Sequence, residues 1–237
     1  MKVREISENF TLDNVIPFFQ PVMDVTDNVV WSYECLARLV TQQEQTFLPS
    51  EFLNLVEEGK CAGKLTQRIF HSSAQYFRDR NTGWSINISE QDVLDPHTIP
   101  FLRDYLCHYP NARRVSLELM ADTVAKHPNE FNAFLLNCKA LDVKLFIDHV
   151  PDAPSDYSAI MDLPIDGIKI DANLLIKLVK DRHSRALLRK FRTKAMKNNV
   201  VVVAEHIEDE ATLATVVALD IQYAQGFYFS RPARYTN

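Results

Sequence analysis

The stretch 144–171, KLFIDHVPDAPSDYSAIMDLPIDGIKID, constrains this chain more than any other. The apolar run Leu145-Phe146-Ile147 ends in Asp148-His149 and then in a loop broken by prolines. After a short helical stretch, a second apolar run, Gly167-Ile168-Lys169-Ile170, embeds Lys169 and closes on Asp171. The pattern predicts strand, loop, helix, strand: a βαβ unit with polar groups at the C-terminal end of one strand and inside the next. A carboxylate ending one parallel strand, beside a lysine on its neighbour, is how such sheets assemble active sites.

The remainder reads as further copies of this unit. Residues 15–24, VIPFFQPVMD, form a first strand carrying Gln20; Asp27-Asn28 turns the chain, and 29–39 returns as a second strand, a hairpin. Period two along that second strand places Glu34 and Arg38 on one face. Helices are predicted at 50–58 and about 64–80, the latter with Leu65, Ile69, Tyr76 and Phe77 as apolar positions. A strand follows at 84–89, a helix at 99–108 and a strand at 115–119. Asn129 is the expected cap of a helix at 130–141. After the central unit come helices at 173–180 and 181–198 and a strand at 200–204, whose β-branched run suits a fully buried parallel strand. A helix at 209–219 and a short strand at 223–226 close the pattern. No linker or low-complexity segment divides the 237 residues, so one domain over 1–237 is expected, and a single α/β barrel commonly has about this length.

Composition excludes several classes. A net charge of −5 argues against direct nucleic-acid binding. No run approaches the length of a membrane span, and the N-terminus lacks a secretion signal. Cys35, Cys61, Cys107 and Cys138 are widely spaced without a zinc pattern, as expected of reduced thiols in the cytoplasm. Only five glycines occur, few for a chain that cradles phosphates, which hints at rebuilt loops.

Most strands end in or carry one polar residue: Glu34, Asn87, Glu118, Asp148, Lys169, Glu205 and Gln225. A polar residue inside an apolar strand is costly unless paired or bound to an ion. Each is individually readable as an ordinary strand-end or capping residue. Recurring in phase with the βα units, they are expected to converge on one rim, where the four carboxylates and the asparagine amount to a hard-oxygen cage suited to Mg²⁺ or Mn²⁺.

These residues resemble the EAL domains, which hydrolyse cyclic di-GMP on a (β/α)₈ barrel. The resemblance covers about 15–233 and runs through many short motifs in order. Phe19-Gln20-Pro21-Val22-Met23-Asp24 resembles the opening strand, and Glu34-Cys35-Leu36-Ala37-Arg38 the family's signature. Ile86-Asn87-Ile88-Ser89, Leu117-Glu118-Leu119, Leu163-Pro164-Ile165-Asp166, Ile168-Lys169-Ile170-Asp171 and Ala204-Glu205-His206-Ile207-Glu208 match later motifs. Gln225-Gly226-Phe227-Tyr228-Phe229-Ser230-Arg231-Pro232 matches the close. The resemblance implies a TIM-like barrel of EAL type with its first strand antiparallel. It implies a first metal held by Glu34, Asn87, Glu118 and Asp148 with Glu205 nearby, and Lys169 positioning or deprotonating the attacking water. It implies nucleotide contacts from Gln20 and Arg38, and Gln225 is grouped with them as a ligand-binding position. Metal-bound water as nucleophile is sound chemistry for a phosphodiester.

The departures cluster. Where the family has Asp-Asp-Phe-Gly-Thr-Gly, this chain has Asp148-His149-Val150-Pro151-Asp152-Ala153. His149 replaces an aspartate; both loop glycines are gone, and Pro151, which fixes φ and lacks a donor, stands at one of them. The loop-anchoring glutamate falls on Ala121, and a glycine falls on His206. An imidazole supplies no negative charge and is a poor Mg²⁺ ligand. His149 and His206 are either ordinary hydrogen-bonded histidines or a new transition-metal site.

Arg182, Arg185, Arg189 and Arg192 fall on one helical face, either a solvated surface or a docking stripe for an acidic partner. Phe227-Tyr228-Phe229 is expected in the core. The resulting expectation is a degenerate, stand-alone EAL-like protein, cytoplasmic and monomeric, that regulates by binding a protein. The resemblance names one candidate partner, the flagellar master transcription activator that controls motility. Mg²⁺ or Mn²⁺ is expected at most weakly, and cyclic di-GMP binding is doubtful. The alternatives are a Mg²⁺/Mn²⁺-dependent cyclic di-GMP phosphodiesterase giving pGpG, and a non-hydrolysing cyclic di-GMP effector.

Overall fold

The computed structural model describes residues 6–7, 9–149, 160–180 and 182–234, with the side chains of 182–185 and 187 outside that description. The helical stretch expected between Pro151 and Ala159 lies outside the described residues, as does Pro151 itself.

Among the described residues nine strands are present: β1 (Val15–Asp24), β2 (Val29–Val40), β3 (Thr46–Phe47), β4 (Gly83–Ile88), β5 (Val115–Met120), β6 (Lys144–Asp148), β7 (Gly167–Asp171), β8 (Val201–Glu205) and β9 (Tyr223–Ala224). In hydrogen-bonded order the sheet runs β1, β9, β8, β7, β6, β5, β4, β2, and β1 pairs again with β2 to close it. The two-residue β3 pairs with β2 outside the ring. β1 is antiparallel to both of its neighbours, whereas β2 and β4 through β9 pair in parallel. This is the expected eight-stranded barrel with its first strand reversed.

The helices are α1 (Pro49–Glu58), α2 (Ala62–Phe77), α3 (Glu90–Leu94), α4 (Thr98–Leu106), α5 (Ala121–Lys126), α6 (Pro128–Ala140), α7 (Ala172–Lys180), α8 (Arg182–Asn198) and α9 (Glu210–Ala218). On α2, Leu65, Ile69, Phe70 and Phe77 are buried at helical spacing, while Tyr76 is partly buried and stacks on Phe19 with centroids 4.5 Å apart. Asp209 caps α9, its Oδ1 accepting from Thr212 N at 2.7 Å.

Several boundaries correct the sequence reading. Asn129 is not a cap. Helix α6 begins at Pro128, whose fixed φ and missing donor suit a first helical position, and Asn129 lies within the first turn. Ser89 leaves its expected strand to cap α3: its hydroxyl accepts from Asp92 N at 3.2 Å, and Asp92 Oδ2 accepts from Ser89 N at 2.8 Å. The last strand stops at Ala224. The aromatic run after it is not core: Phe227 and Tyr228 are exposed, and only Phe229 packs against the core.

The apolar bulk lies between barrel and helices, with Trp84, Phe52, Phe70 and Phe131 fully buried, each contributing about 1.5–3 kcal/mol or more. Inside the barrel a second, small cluster of Val22, Phe146 and Val203 plugs the end where most strands begin. Gly167 makes this plug possible, because a Cβ there would meet the Phe146 ring at 2.1 Å. With one end packed with carbon, the polar residues of the barrel are confined to the other end.

Candidate functional site

Strand register brings the polar residues together. Gln20 on β1 lies opposite Glu34 on β2, and Asn87 on β4 lies beside Glu118 on β5. Lys169 sits two residues before Asp171, the β7 partner of Glu205, so Lys169 and Glu205 lean to the same side of the sheet. All the expected rim residues meet at this end of the barrel.

Lys169 is their centre. Only 2% exposed, its Nζ lies 2.6 Å from Glu205 Oε1, 2.7 Å from Glu118 Oε2 and 3.0 Å from Glu34 Oε2. Asn87 Nδ2 donates to Glu34 Oε1 at 2.7 Å, and Gln225 Nε2 donates to Glu34 Oε2 at 2.7 Å and to Gln20 Oε1 at 3.2 Å. Gln20 Nε2 in turn donates to the Ser230 carbonyl at 3.1 Å. Gln225 Oε1 is buried without a partner.

Asp148 is engaged differently. Its Oδ1 accepts from the His149 backbone N–H at 2.6 Å, and its Oδ2 lies 2.9 Å from His149 Nδ1. His149 has φ 51°, a left-handed conformation that His tolerates better than most residues. His206 also has a left-handed backbone, φ 58°, and pairs through Nδ1 with Asp171 Oδ2 at 3.3 Å. Glycine takes that conformation without a steric cost of about 1–2 kcal/mol. The geometry therefore retains a glycine's backbone at a histidine. Ala121, expected to mark a lost anchor, is buried as the first residue of α5.

Electrostatics follow from this packing. Burial, with repulsion from Glu34, outweighs Lys169 and pushes the Glu118 carboxyl up to about 7. Burial likewise outweighs Lys169 at Glu205, which rises to about 8 with help from Asp148 and Glu34. At Glu34 burial acts upward too, but Lys169, Gln225 and Asn87 prevail and hold it below the usual range. Burial opposes the charge on Lys169, yet Glu118, Glu205, Glu34 and Asp148 together hold its pKa well above normal. The hydrogen bond and charge of Asp148 raise His149 to about 9. Asp148 is pushed up by burial but held far below its normal value by His149 and Lys169. Burial thus favours the neutral form of two carboxyls beside an ammonium that the cluster holds charged.

The donor set is that of a divalent-ion site: three glutamates, an aspartate and an asparagine. The glutamate oxygens turn inward to Lys169 and Asp148 is clamped by His149. Among the described residues no three His, Cys, Asp or Glu side chains are gathered as the ligands of an ion, because the glutamate oxygens converge on the ammonium instead. The expected cage is closed on an internal cation. Nor do His149 and His206 share a ligand, since each imidazole has its own carboxylate.

Above the cage is a cleft of about 390 Å³ lined by Gln20, Glu34, Arg38, Asn87, Asp148 and Glu205 among others, with His149 and His206 also on its wall. The Arg38 guanidinium donates to the Ala37 carbonyl at 2.8 Å. Leu48 and Phe227, both exposed, also line the cleft, and the Arg231 guanidinium lies 4.4 Å from the Phe227 ring centroid. Nothing in the sequence distinguished Leu48, and the aromatic run concealed Phe227. Of the proposed arginine stripe, Arg189 is exposed and Arg192 pairs with Asp220 at 2.5 Å, while the side chains of Arg182 and Arg185 lie outside the described residues.

A closed (β/α)₈ barrel with an acidic, lysine-centred rim at the C-terminal ends of its parallel strands has the layout of an enzyme-type barrel. The family model described as EAL domain matches residues 3–232, and the chain belongs to that family. The signaling protein YkoW of Bacillus subtilis is 26% identical over 98% of this chain and 29% of its own length. The cyclic di-GMP phosphodiesterase PdeA of Borreliella burgdorferi is 22% identical over 91% of this chain and 33% of its own. The chain thus spans about a third of the length of these curated relatives. In fold it resembles the FimX EAL domains of Pseudomonas aeruginosa, bound to c-di-GMP (TM-score 0.83, 19% identity, 100% of this chain and 96% of that one), and of Xanthomonas citri, in complex with c-diGMP (0.84, 18%, 100% and 93%).

Proposed function

We propose that this EAL-domain chain lacks efficient cyclic di-GMP hydrolysis and acts as a regulator by binding another protein. One observation carries the reading: His149, at the position of the family's second aspartate, puts an imidazole against Asp148 at 2.9 Å. A carboxylate that would face a cation instead faces an adjacent imidazole, while Lys169 takes up an oxygen of each of the three glutamates. Both sets of oxygens that would draw in divalent ions are engaged internally. The resemblance supplies a candidate partner, the flagellar master transcription activator, and the proposed setting is a cytoplasmic monomer. Among the described residues no helix is long and apolar enough to cross a membrane.

A second reading, a Mg²⁺/Mn²⁺-dependent phosphodiesterase giving pGpG, draws on the assembly of Glu34, Asn87, Glu118, Asp148, Lys169 and Glu205 at one rim. A non-hydrolysing effector draws on the cleft that Gln20 and Arg38 line. Calorimetric titration of cyclic di-GMP with Mn²⁺ present, followed by analysis for pGpG, separates the three. Product overturns the proposal, binding without product favours the effector, and silence in both supports the protein-binding regulator.

A further inference from the structure

Away from the acidic rim, one buried carboxylate is satisfied on one oxygen only. Asp92, in the short helix α3, is 1% exposed. Its Oδ2 accepts three hydrogen bonds, from Ser89 N at 2.8 Å, Ser89 Oγ at 2.7 Å and Thr66 Oγ1 at 2.9 Å. Its Oδ1 is buried and accepts none from the described residues. A buried acceptor without a donor is costly, and native folds supply one from protein or from ordered water.

A cavity of about 10 Å³ lies against Asp92, walled also by Gly63 and Thr66 of α2, Thr98 of α4, and the strand residues Ile88 and Leu117 among others. Gly63 lets α2 come close: a Cβ on it would lie 4.0 Å from Asp92 Oδ1 and 3.4 Å from Asp95 Oδ2. Oδ1 thus faces the first turn of α2, where helix amides have no acceptor of their own and Cys61 supplies no side-chain cap. The cavity shares no wall residue with the cleft at the rim.

Size and lining select the occupant. One water molecule needs about 10–15 Å³ of such space and two to four polar partners. A hard cation would need about six oxygen ligands, whereas Ile88 and Leu117 give part of the wall to carbon, and the positive end of α2 disfavours a cation. We infer that the cavity holds one ordered water, which donates to Asp92 Oδ1 and draws its other bonds from the polar side of the wall: the Thr66 and Thr98 hydroxyls and the first-turn amides of α2. Asp92 then ties Ser89, two residues after Asn87, to α2 both directly through Thr66 and through the water. This site is independent of what the cleft binds and of whether cyclic di-GMP is cleaved.

Crystals of the full chain, at a resolution that shows ordered waters, should carry a density peak about 2.8 Å from Asp92 Oδ1. In solution, a water-selective nuclear Overhauser spectrum of methyl-labelled protein should show cross-peaks from a long-lived water to the Ile88 and Leu117 methyls, which at 6% and 0% exposure are shielded from bulk solvent. Asp92→Leu removes the acceptor and fills the space with carbon, and both signals should be lost. Should that variant fail to fold, the wild-type density and spectrum decide alone. Absence of the peak and the cross-peaks, or a Gln67 amide turned onto Oδ1 in place of a water, overturns the inference. So do cross-peaks that persist in Asp92→Leu, or an anomalous signal at the site from crystals grown in rubidium chloride, which would mark a cation.

Discussion

The ammonium of Lys169 lies 3.0 Å from the carboxylate of Glu34, 135 residues earlier in the chain, with both groups almost fully removed from solvent. Taking two ions out of water costs several kcal/mol each, and their attraction offsets this only when the remaining donors and acceptors are also met. Here they are: Asn87 and Gln225 complete Glu34, and Glu118 and Glu205 complete Lys169.

Lys169→Met should therefore destabilise the fold by about 3–5 kcal/mol at neutral pH, because three buried carboxyls lose their shared cation. Urea denaturation measures this. A loss below about 1 kcal/mol would mean that the ammonium is not what holds the cage together.

Stability should fall as pH rises from about 5 to 9. Glu118 and Glu205, raised to about 7 and about 8, bind more protons folded than unfolded above their ordinary value near 4.5. Their contribution is full below that value and is lost as pH passes through the folded ones. His149, raised to about 9, acts in the same sense, its contribution being lost between its ordinary 6.5 and about 9. Asp148, lowered, contributes above its ordinary 3.8 and loses that contribution only in acid. Melting temperatures across this range should decline, and Glu205→Gln should flatten the decline between pH 5 and 8. A flat wild-type profile would contradict the assignment.

His149→Asp should fold normally, since aspartate also tolerates the left-handed backbone at φ 51°. It removes the imidazole that clamps Asp148 and adds a second carboxylate. Mn²⁺ should then raise the melting temperature of the variant clearly more than that of the wild type. Equal shifts would show that His149 is not what keeps the divalent ion away.

Gly226→Ala should be disruptive out of proportion to one methyl group. A Cβ there would meet the Ile207 carbonyl oxygen at 2.1 Å and its nitrogen at 2.3 Å, backbone atoms with little room to retreat. Ile207 N also donates to the Gln225 carbonyl at 3.1 Å, so the displacement reaches Gln225 and its bond to Glu34. The expected cost is about 1–3 kcal/mol or more. Chemical denaturation with cleft-ligand binding as a second readout would check it, and an unperturbed variant would refute the close approach.

Much of the fold was legible because strand identity is local. Val201-Val202-Val203-Ala204 and Leu145-Phe146-Ile147 declare parallel strands through their own side chains, although Val201 and Val202 are only partly buried, and period two placed Glu34 and Arg38 on one face before any partner was known. The errors were local competitions lost to better chemistry nearby. Pro128 displaced Asn129 at the start of α6, and Ser89 satisfied α3 rather than extending β4. The aromatic character of Phe227 and Tyr228 said nothing about which way the chain would turn after Gly226.

By itself, then, the sequence determined the succession of strands and helices and the single polar residue that most strands carry, since hydrophobic period and turn chemistry act between near neighbours. The tertiary structure alone decided what those polar residues do to one another. That the three glutamates close on Lys169 is a consequence of distances between atoms far apart in the chain. Coulomb energy and desolvation depend on those distances and on burial, and neither is set until the barrel closes.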